Sequence, residues 1–276
     1  MGEMTKTRQK HSCRVIQVIE CNHDPVCCGF RWLIKNEDAL AQLVAWTMQG
    51  HYRHAERVLK SLDAPVLPRR LTIQQQAIRR LNLPKGSKKE VYRYHRDGLV
   101  FQHIAWIAAI IEGEQHIAAS MPHLITAHKG FDAILVPLDG VGNARTGIII
   151  CEEKATINPR HQITQEVWPS IASIESGERD AEINAELGAI LDRYNVQNID
   201  QILTEAHWLG HKTYRVSITI AAEHDANHAR SALFDGFESK APGEITRRRA
   251  ETLMLTDLRN WMDAFCSKVV THIQGA

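Results

Sequence analysis

A change of hydrophobic pattern near residue 120 constrains the fold of this chain more than any other feature. Residues 99–119 repeat apolar side chains at helical spacing around Trp106, which predicts a long helix buried on most of its circumference. After Pro122 come two short β-rich segments, FDAILVPL at 131–138 and IIICEEKAT at 148–156. The DGVGNARTG between them is rich in turn-forming residues, so we predict a β-hairpin.

Strands and helices are predicted on both sides of this unit. They are a strand pair at 13–20 and 27–34, helices within 37–62 and at 70–82, a helix at 162–176, a helical segment around 183–191, a strand at 213–222 and a helix at 245–273. This order is an α/β mixture without regular βαβ alternation. We predict a mixed β-sheet flanked by helices, with an N-terminal α+β region at 1–98 packed on a core at 99–276.

Composition excludes several classes of protein. The 276 residues are 44% hydrophobic, enough for a substantial core. No apolar stretch is long enough to cross a bilayer, and MGEMTKTRQK lacks the apolar centre of a secretory signal, so we expect a cytoplasmic protein.

The net charge is only +1. Two interpretations are open for the basic runs KGSKKEVYRYHR at 85–96 and RRR at 247–249. Either both contact phosphates, or the first is a solvated loop and the second is a solvated helix start.

Chemistry is predicted at the end of the second hairpin strand. Alternate residues of a strand share a face, so Ile148, Ile150, Glu152 and Lys154 should point the same way. A carboxylate and an ammonium that follow buried isoleucines are costly to desolvate unless they serve each other or a ligand. Asp132, on the preceding strand, is the best candidate for a second carboxylate beside them.

These residue types suit phosphodiester hydrolysis, in which a divalent metal ion supplies much of the catalysis. Mg²⁺ is held by one or two protein carboxylates with waters and substrate phosphate, so Asp132 and Glu152 are the predicted metal ligands. Lys154 would orient or help deprotonate the attacking water, or stabilise the charge that develops on the phosphate.

The segment GFDAI, a turn and IIICEEKAT, preceded and followed by helices, resembles the PD-(D/E)xK nuclease superfamily. The resemblance implies a restriction-endonuclease-like core that cleaves DNA with Mg²⁺ or Mn²⁺. It makes Asp132 the first acid, Glu152 the variable acidic position and Lys154 the lysine of the catalytic set.

The sequence departs from the family pattern in having Gly130 and Phe131, not Pro, before Asp132. Asp139 is therefore an alternative first acid. Glu153 is an alternative to Glu152, although a regular strand would turn it away from Lys154 unless a β-bulge brought it round. Glu112 or Glu114, from the preceding helix, is a possible third carboxylate.

A narrower resemblance covers most of the chain. An N-terminal strand pair, an ALAQL helix and a nuclease core with GFD and EEK are similar to the effector nuclease of bacterial Hachiman-type anti-phage systems. That resemblance implies metal-dependent DNA degradation restrained by a superfamily 2 helicase partner. The alternative is a catalytically silent nuclease-fold subunit that binds DNA or regulates a helicase.

Other candidate sites are weaker. Zinc binding by Cys21, His23, Cys27 and Cys28 is disfavoured because their spacing is not that of a known zinc finger. The two histidines of HDANH at 224–228 have the spacing of two ligands on one helix face, but no Glu stands at the second position of that motif. No Gly-x-Ser-x-Gly elbow and no phosphate loop occurs, so any ATP-dependent step must belong to a partner. Large aromatic residues are predicted to be packing residues: Trp32, Trp46, Trp106, Phe234 and Phe237.

Overall fold

The described residues of the computed structural model form a mixed sheet covered by helices on both faces. The structure describes residues 15–67, 70–86, 89–113, 116–124, 131–139, 141–145, 147–205 and 209–275. The strands are β1 (Ile16–Cys21), β2 (Cys28–Ile34), β3 (Ile117–Ala119), β4 (Ala133–Pro137), β5 (Ile148–Lys154), β6 (Lys212–Ile220) and β7 (Arg248–Met254). Their order across the sheet is β1-β2-β7-β6-β5-β4-β3.

The four central strands run parallel and the outer strands run antiparallel to their neighbours. β2, β7, β6 and β5 pair in parallel register, whereas β1 pairs with β2, and β4 with both β5 and β3, in antiparallel register. The carboxyl ends of the parallel strands therefore meet at one edge of the sheet, and Lys154 lies at that edge as the last residue of β5.

Each face of the sheet has its own apolar core. On one face lie α1 (Glu37–Met48), α2 (Tyr52–Leu59), α3 (Leu71–Leu81), α4 (Lys89–Gly113) and α11 (Leu258–Gln274). On the other lie α5 (Pro159–Gln162), α6 (Trp168–Glu175), α7 (Asp180–Arg193), α8 (Ile199–Glu205), α9 (Asn227–Leu233) and α10 (Phe237–Lys240). β5 divides its side chains between them, with Ile148 and Ile150 in the second core and Cys151 in the first. The predicted alternation along this strand is confirmed.

Most predicted elements are confirmed, including the N-terminal strand pair and the β4–β5 hairpin. The helix predicted at 99–119 is wrong at both ends: α4 begins at Lys89 and ends at Gly113, and β3 follows. α4 thus runs across the predicted division at 98/99, and β2 of the N-terminal part pairs with β7 of the C-terminal part.

The long helix predicted at 245–273 is also wrong in its first third. Its residues 248–254 form β7, which lies between β2 and β6, and the helix begins only at Leu258. The arginines of this segment do not start a solvated helix, since Arg247 and Arg248 are buried. Their guanidinium groups donate to interior oxygens of Glu175, Lys212, Val26, Ala241 and Gly243, and Arg249 donates to Glu251 and Glu112.

The aromatic residues predicted to pack behave accordingly. Trp32, Trp106, Phe234 and Phe237 are buried, and Trp46 packs partly buried against the first core. In the part of the chain that the structure describes, no helix is long and apolar enough to span a membrane.

Candidate active site

The β4–β5 hairpin brings the three predicted catalytic residues together. Ala133 pairs with Cys151 in antiparallel register, so one residue further along Asp132 lies opposite Glu152. Lys154 Nζ lies 3.4 Å from Asp132 Oδ2 and 3.1 Å from Glu152 Oε2. The ammonium group thus joins the two carboxylates across the end of the hairpin.

Neighbouring elements hold each carboxylate in place. Gln102 Nε2, from α4, donates to Asp132 Oδ1 over 2.5 Å, and the Glu153 N–H donates to Asp132 Oδ2 over 2.7 Å. Ser170 Oγ, from α6, donates to Glu152 Oε1 over 2.5 Å. The helices on the two faces of the sheet therefore each fix one acid of the hairpin.

Burial and mutual charge determine the protonation of this group. Burial raises the pKa of Glu152, and Lys154 only partly opposes that shift. Burial alone would lower the pKa of Lys154, but the negative charges of Asp132 and Glu152 outweigh it and raise this pKa. Lys154 is therefore an ammonium ion at neutral pH.

Glu153 is also part of this environment. It keeps the face predicted for it, opposite to Glu152, and the pairing of β5 with β6 continues without a bulge as far as Lys154. Burial, and then the charge of Asp132, raise the pKa of Glu153 well above its ordinary value. Neither carboxylate oxygen of Glu153 has a hydrogen-bond partner among the described residues.

A cavity of about 550 Å³ opens at this end of β5. Asp132, Glu153 and Lys154 line it, but Glu152 does not. Its other polar walls come from the segment after β5 and from the helices around it: Thr156 and Asn158, Tyr94, His95 and Gln102 of α4, His161 and Gln162 of α5, Glu166, and Arg259 of α11. The site is therefore an open polar cleft into which a solvated ligand can enter.

Two walls of this cavity were not predicted. Tyr94 and His95, at the end of the basic run, lie on α4 rather than in a loop. Glu166 lies in a π-helical turn, Ile163–Val167, that joins α5 to α6. Such wide turns are frequent at functional sites. Gln162, which was predicted to lie in the helix after β5, directly precedes this π-helical turn.

The alternative acids have other roles where the structure describes them. Asp139 accepts hydrogen bonds from the backbone N–H groups of Val141 and Asn143 and so closes its own turn. Glu112 pairs with Arg249. Glu114 lies outside the described residues.

Three of the side chains weighed for zinc near the N-terminal turn contact one another. The two ring nitrogens of His23 contact different thiols, with Cys21 Sγ 3.6 Å from Nε2 and Cys27 Sγ 3.8 Å from Nδ1. Over all described ranges, no group of three or more His, Cys, Asp or Glu side chains is arranged to hold a metal ion.

The residues at the cavity nevertheless suit a hard divalent cation. Mg²⁺ needs only one or two protein carboxylates when waters and substrate phosphate complete its shell. Asp132 lies beside two glutamates, and a buried carboxylate without a partner is the kind of group that a cation stabilises.

Comparisons of the chain with protein-family models, with curated proteins and with solved structures gave no match. The functional conclusion therefore rests on the geometry of the site and on its chemistry.

Proposed function

We propose that this protein is a metal-dependent nuclease of the PD-(D/E)xK type, with a restriction-endonuclease-like core, that hydrolyses phosphodiester bonds of DNA. The observation that carries the proposal is the convergence of Asp132, Glu152 and Lys154 at the end of β5, beside an open polar cavity. Three ionisable groups on two adjacent strands are costly to bury for stability alone, which favours a catalytic role.

The chain's own residues would act as follows. Asp132 and Glu152 would hold Mg²⁺ or Mn²⁺, which supplies Lewis-acid stabilisation of the phosphate and activates a water. Lys154 stays protonated because two carboxylates raise its pKa, so it would orient the water and stabilise negative charge rather than act as the base.

The walls of the cavity favour a nucleic-acid substrate. Arg259 lies over the ring of Tyr94, 4.4 Å from its centroid, and both residues line the cavity. Aromatic rings and guanidinium groups are the side chains on which unpaired bases stack and to which phosphates bind. Tyr94 is half exposed, which leaves part of its ring accessible to a base.

We further propose that the chain is the effector of an anti-phage system and works with a superfamily 2 helicase in the cytoplasm. The support is the resemblance of its N-terminal strand pair, helix and EEK strand to Hachiman-type effectors. A nuclease with an open site also needs restraint inside its own cell, which a stable partner supplies.

The test is cleavage of linear, circular and single-stranded DNA by the purified chain, alone and with any helicase encoded beside it. Cleavage should require Mg²⁺ or Mn²⁺ and stop with EDTA. Glu152→Gln and Lys154→Ala should each lower the rate at least 100-fold, on the order expected for loss of one preorganised charge-stabilising group.

The matched control is Lys268→Ala, which removes a lysine from a more exposed ion pair with Glu37 and should cleave like the unsubstituted chain. Full metal-dependent cleavage by both site variants would overturn the catalytic assignment. DNA binding that survives both substitutions, with no cleavage under any condition, would favour a silent subunit that regulates a helicase.

A further inference from the structure

Two consecutive glutamates at the end of β5 have different surroundings. Glu152 faces α6, where Ser170 and Lys154 satisfy its carboxylate. Glu153 faces the opposite way and lines the cavity, although only 3% of its surface is exposed. The glutamate that reaches the space open to a ligand is thus not the one that the family motif assigns.

The Glu153 carboxylate lacks a partner within the described ranges. Leaving a buried carboxylate unpaired is costly, so native structures pair such groups or bind an ion. Ser217, the neighbour of Glu153 on β6, is also fully buried, and its hydroxyl has no hydrogen-bond partner in the part of the chain that the structure describes. Two adjacent unsatisfied groups indicate a binding position more strongly than either one alone.

The nearby donors are already committed to other acceptors. Gln102 donates to Asp132, and Lys154 lies between Asp132 and Glu152. Arg215 donates to both carboxylate oxygens of Glu251. Gln102 and Lys154 would each have to give up a contact with another carboxylate of the site to reach Glu153.

Asp132 is the residue that connects Glu153 to the rest of the site. Its carboxylate accepts the Glu153 N–H over 2.7 Å, and both side chains line the same cavity. Two carboxylates at a polar cleft, with room for waters and a phosphate, are a donor set that Mg²⁺ and Mn²⁺ use.

We propose that Glu153 is a ligand of the divalent cation, together with Asp132, on the cavity side of β5. This inference rests on the proposed nuclease function and adds to it a residue outside the family motif. Glu152, which does not line the cavity, then contributes less to cation binding than Glu153 and also holds Lys154 against the site.

The test is Mn²⁺ binding to the full chain, measured by electron paramagnetic resonance and by calorimetry without DNA, so that no cleavage is needed. Glu153→Gln keeps the shape of the side chain but removes its charge, and should weaken Mn²⁺ binding at least tenfold. Glu152→Gln should weaken it less than Glu153→Gln does. Glu182→Gln, at an exposed glutamate paired with Arg179, is the matched control and should bind like the unsubstituted chain.

Thermal unfolding without metal shows whether each variant folds. Glu153→Gln should melt at or above the temperature of the unsubstituted chain, because it relieves an unpaired buried acid, but Mn²⁺ should no longer raise that temperature. Unchanged Mn²⁺ affinity in Glu153→Gln, with a tenfold loss in Glu152→Gln, would overturn this inference and leave the nuclease proposal intact. An unsubstituted chain that binds no Mn²⁺ and cleaves nothing would overturn both.

Discussion

At the scale of single residues, His103 shows how deeply the core extends around the long helix α4. Its side chain is fully buried, with Nδ1 2.8 Å from Thr47 Oγ1. Burial lowers the pKa of His103 to about 3. The imidazole is therefore neutral in the folded protein at every pH at which the protein is expected to work.

This burial predicts a loss of stability in mild acid. In the unfolded chain His103 has an ordinary pKa near 6.5. Below about pH 6.5 the unfolded state therefore binds a proton that the folded state does not bind. The folded-state pKa is depressed, so the stabilisation is present above pH 6.5 and is lost as the pH falls. Between pH 6 and 5 the free energy of unfolding should fall by about 1 kcal/mol from this group alone.

Urea unfolding at a series of pH values measures this contribution. His103→Gln should remove that part of the pH dependence, whereas His116→Gln, at an exposed histidine, should leave the dependence unchanged. Equal pH dependence in His103→Gln and in the unsubstituted chain would contradict the burial assigned to His103.

The convergence of Asp132, Glu152 and Lys154 was predictable from the sequence because strand alternation and one hairpin determine their positions. The surroundings of Glu153 were not, because they depend on α4 and on the cavity at the strand end. Periodicity correctly placed Glu153 on the face opposite to Glu152, but it does not tell which face opens to a ligand. The consecutive acids of EEK were the available signal.

At the scale of elements, β7 shows how tertiary contacts override intrinsic preference. Its sequence RRAETLM consists mostly of good helix formers, yet β2 and β6 pair with it on both sides. Apolar residues at helical spacing begin only at Leu258, directly after Asp257. β3 was missed for another reason, since three residues after a helix carry too little periodicity to be recognised.

Asp257 sets the start of α11. Its side chain accepts the Asn260 N–H over 3.1 Å at the N-cap position. Asp257→Ala should therefore lower the free energy of unfolding by about 1 kcal/mol, while Asp257→Asn should change it little because Asn caps equally well. Urea denaturation of both variants checks this, and an unaffected Asp257→Ala would mean that packing alone fixes the helix start.

At the scale of the whole molecule, the N-terminal strands belong to the same sheet as the β4–β5 hairpin. Trp32 of β2 is buried in the core beside α4, and its indole N–H donates to Glu251 of β7 over 2.7 Å. Helix α4 runs on both sides of the predicted division at 98/99. Sequence patterns found these elements but gave no information on pairing between strands that lie far apart along the chain.

Trp32→Ala should therefore destabilise the part after residue 98 as well as the N-terminal part. We expect a loss of about 3–5 kcal/mol, as for large-to-small substitutions in a core, with all probes reporting one transition. Trp32→Phe, which keeps most of the volume, should lose less. Tryptophan fluorescence and far-ultraviolet circular dichroism along a urea series test this, and two separate transitions would show that the parts unfold independently.

The π-helical turn Ile163–Val167 suggests how this cleft could have arisen. It carries one residue more than an α-helical turn in the same helix, and each added residue rotates the helix before it by about 100° relative to the helix after it. His161 and Gln162 thus line the cavity, while Ile171 and Ile174 beyond the turn remain in the core. One added residue thus redirects the end of the helix before the turn towards the cleft, while the residues after the turn keep their packing in the core.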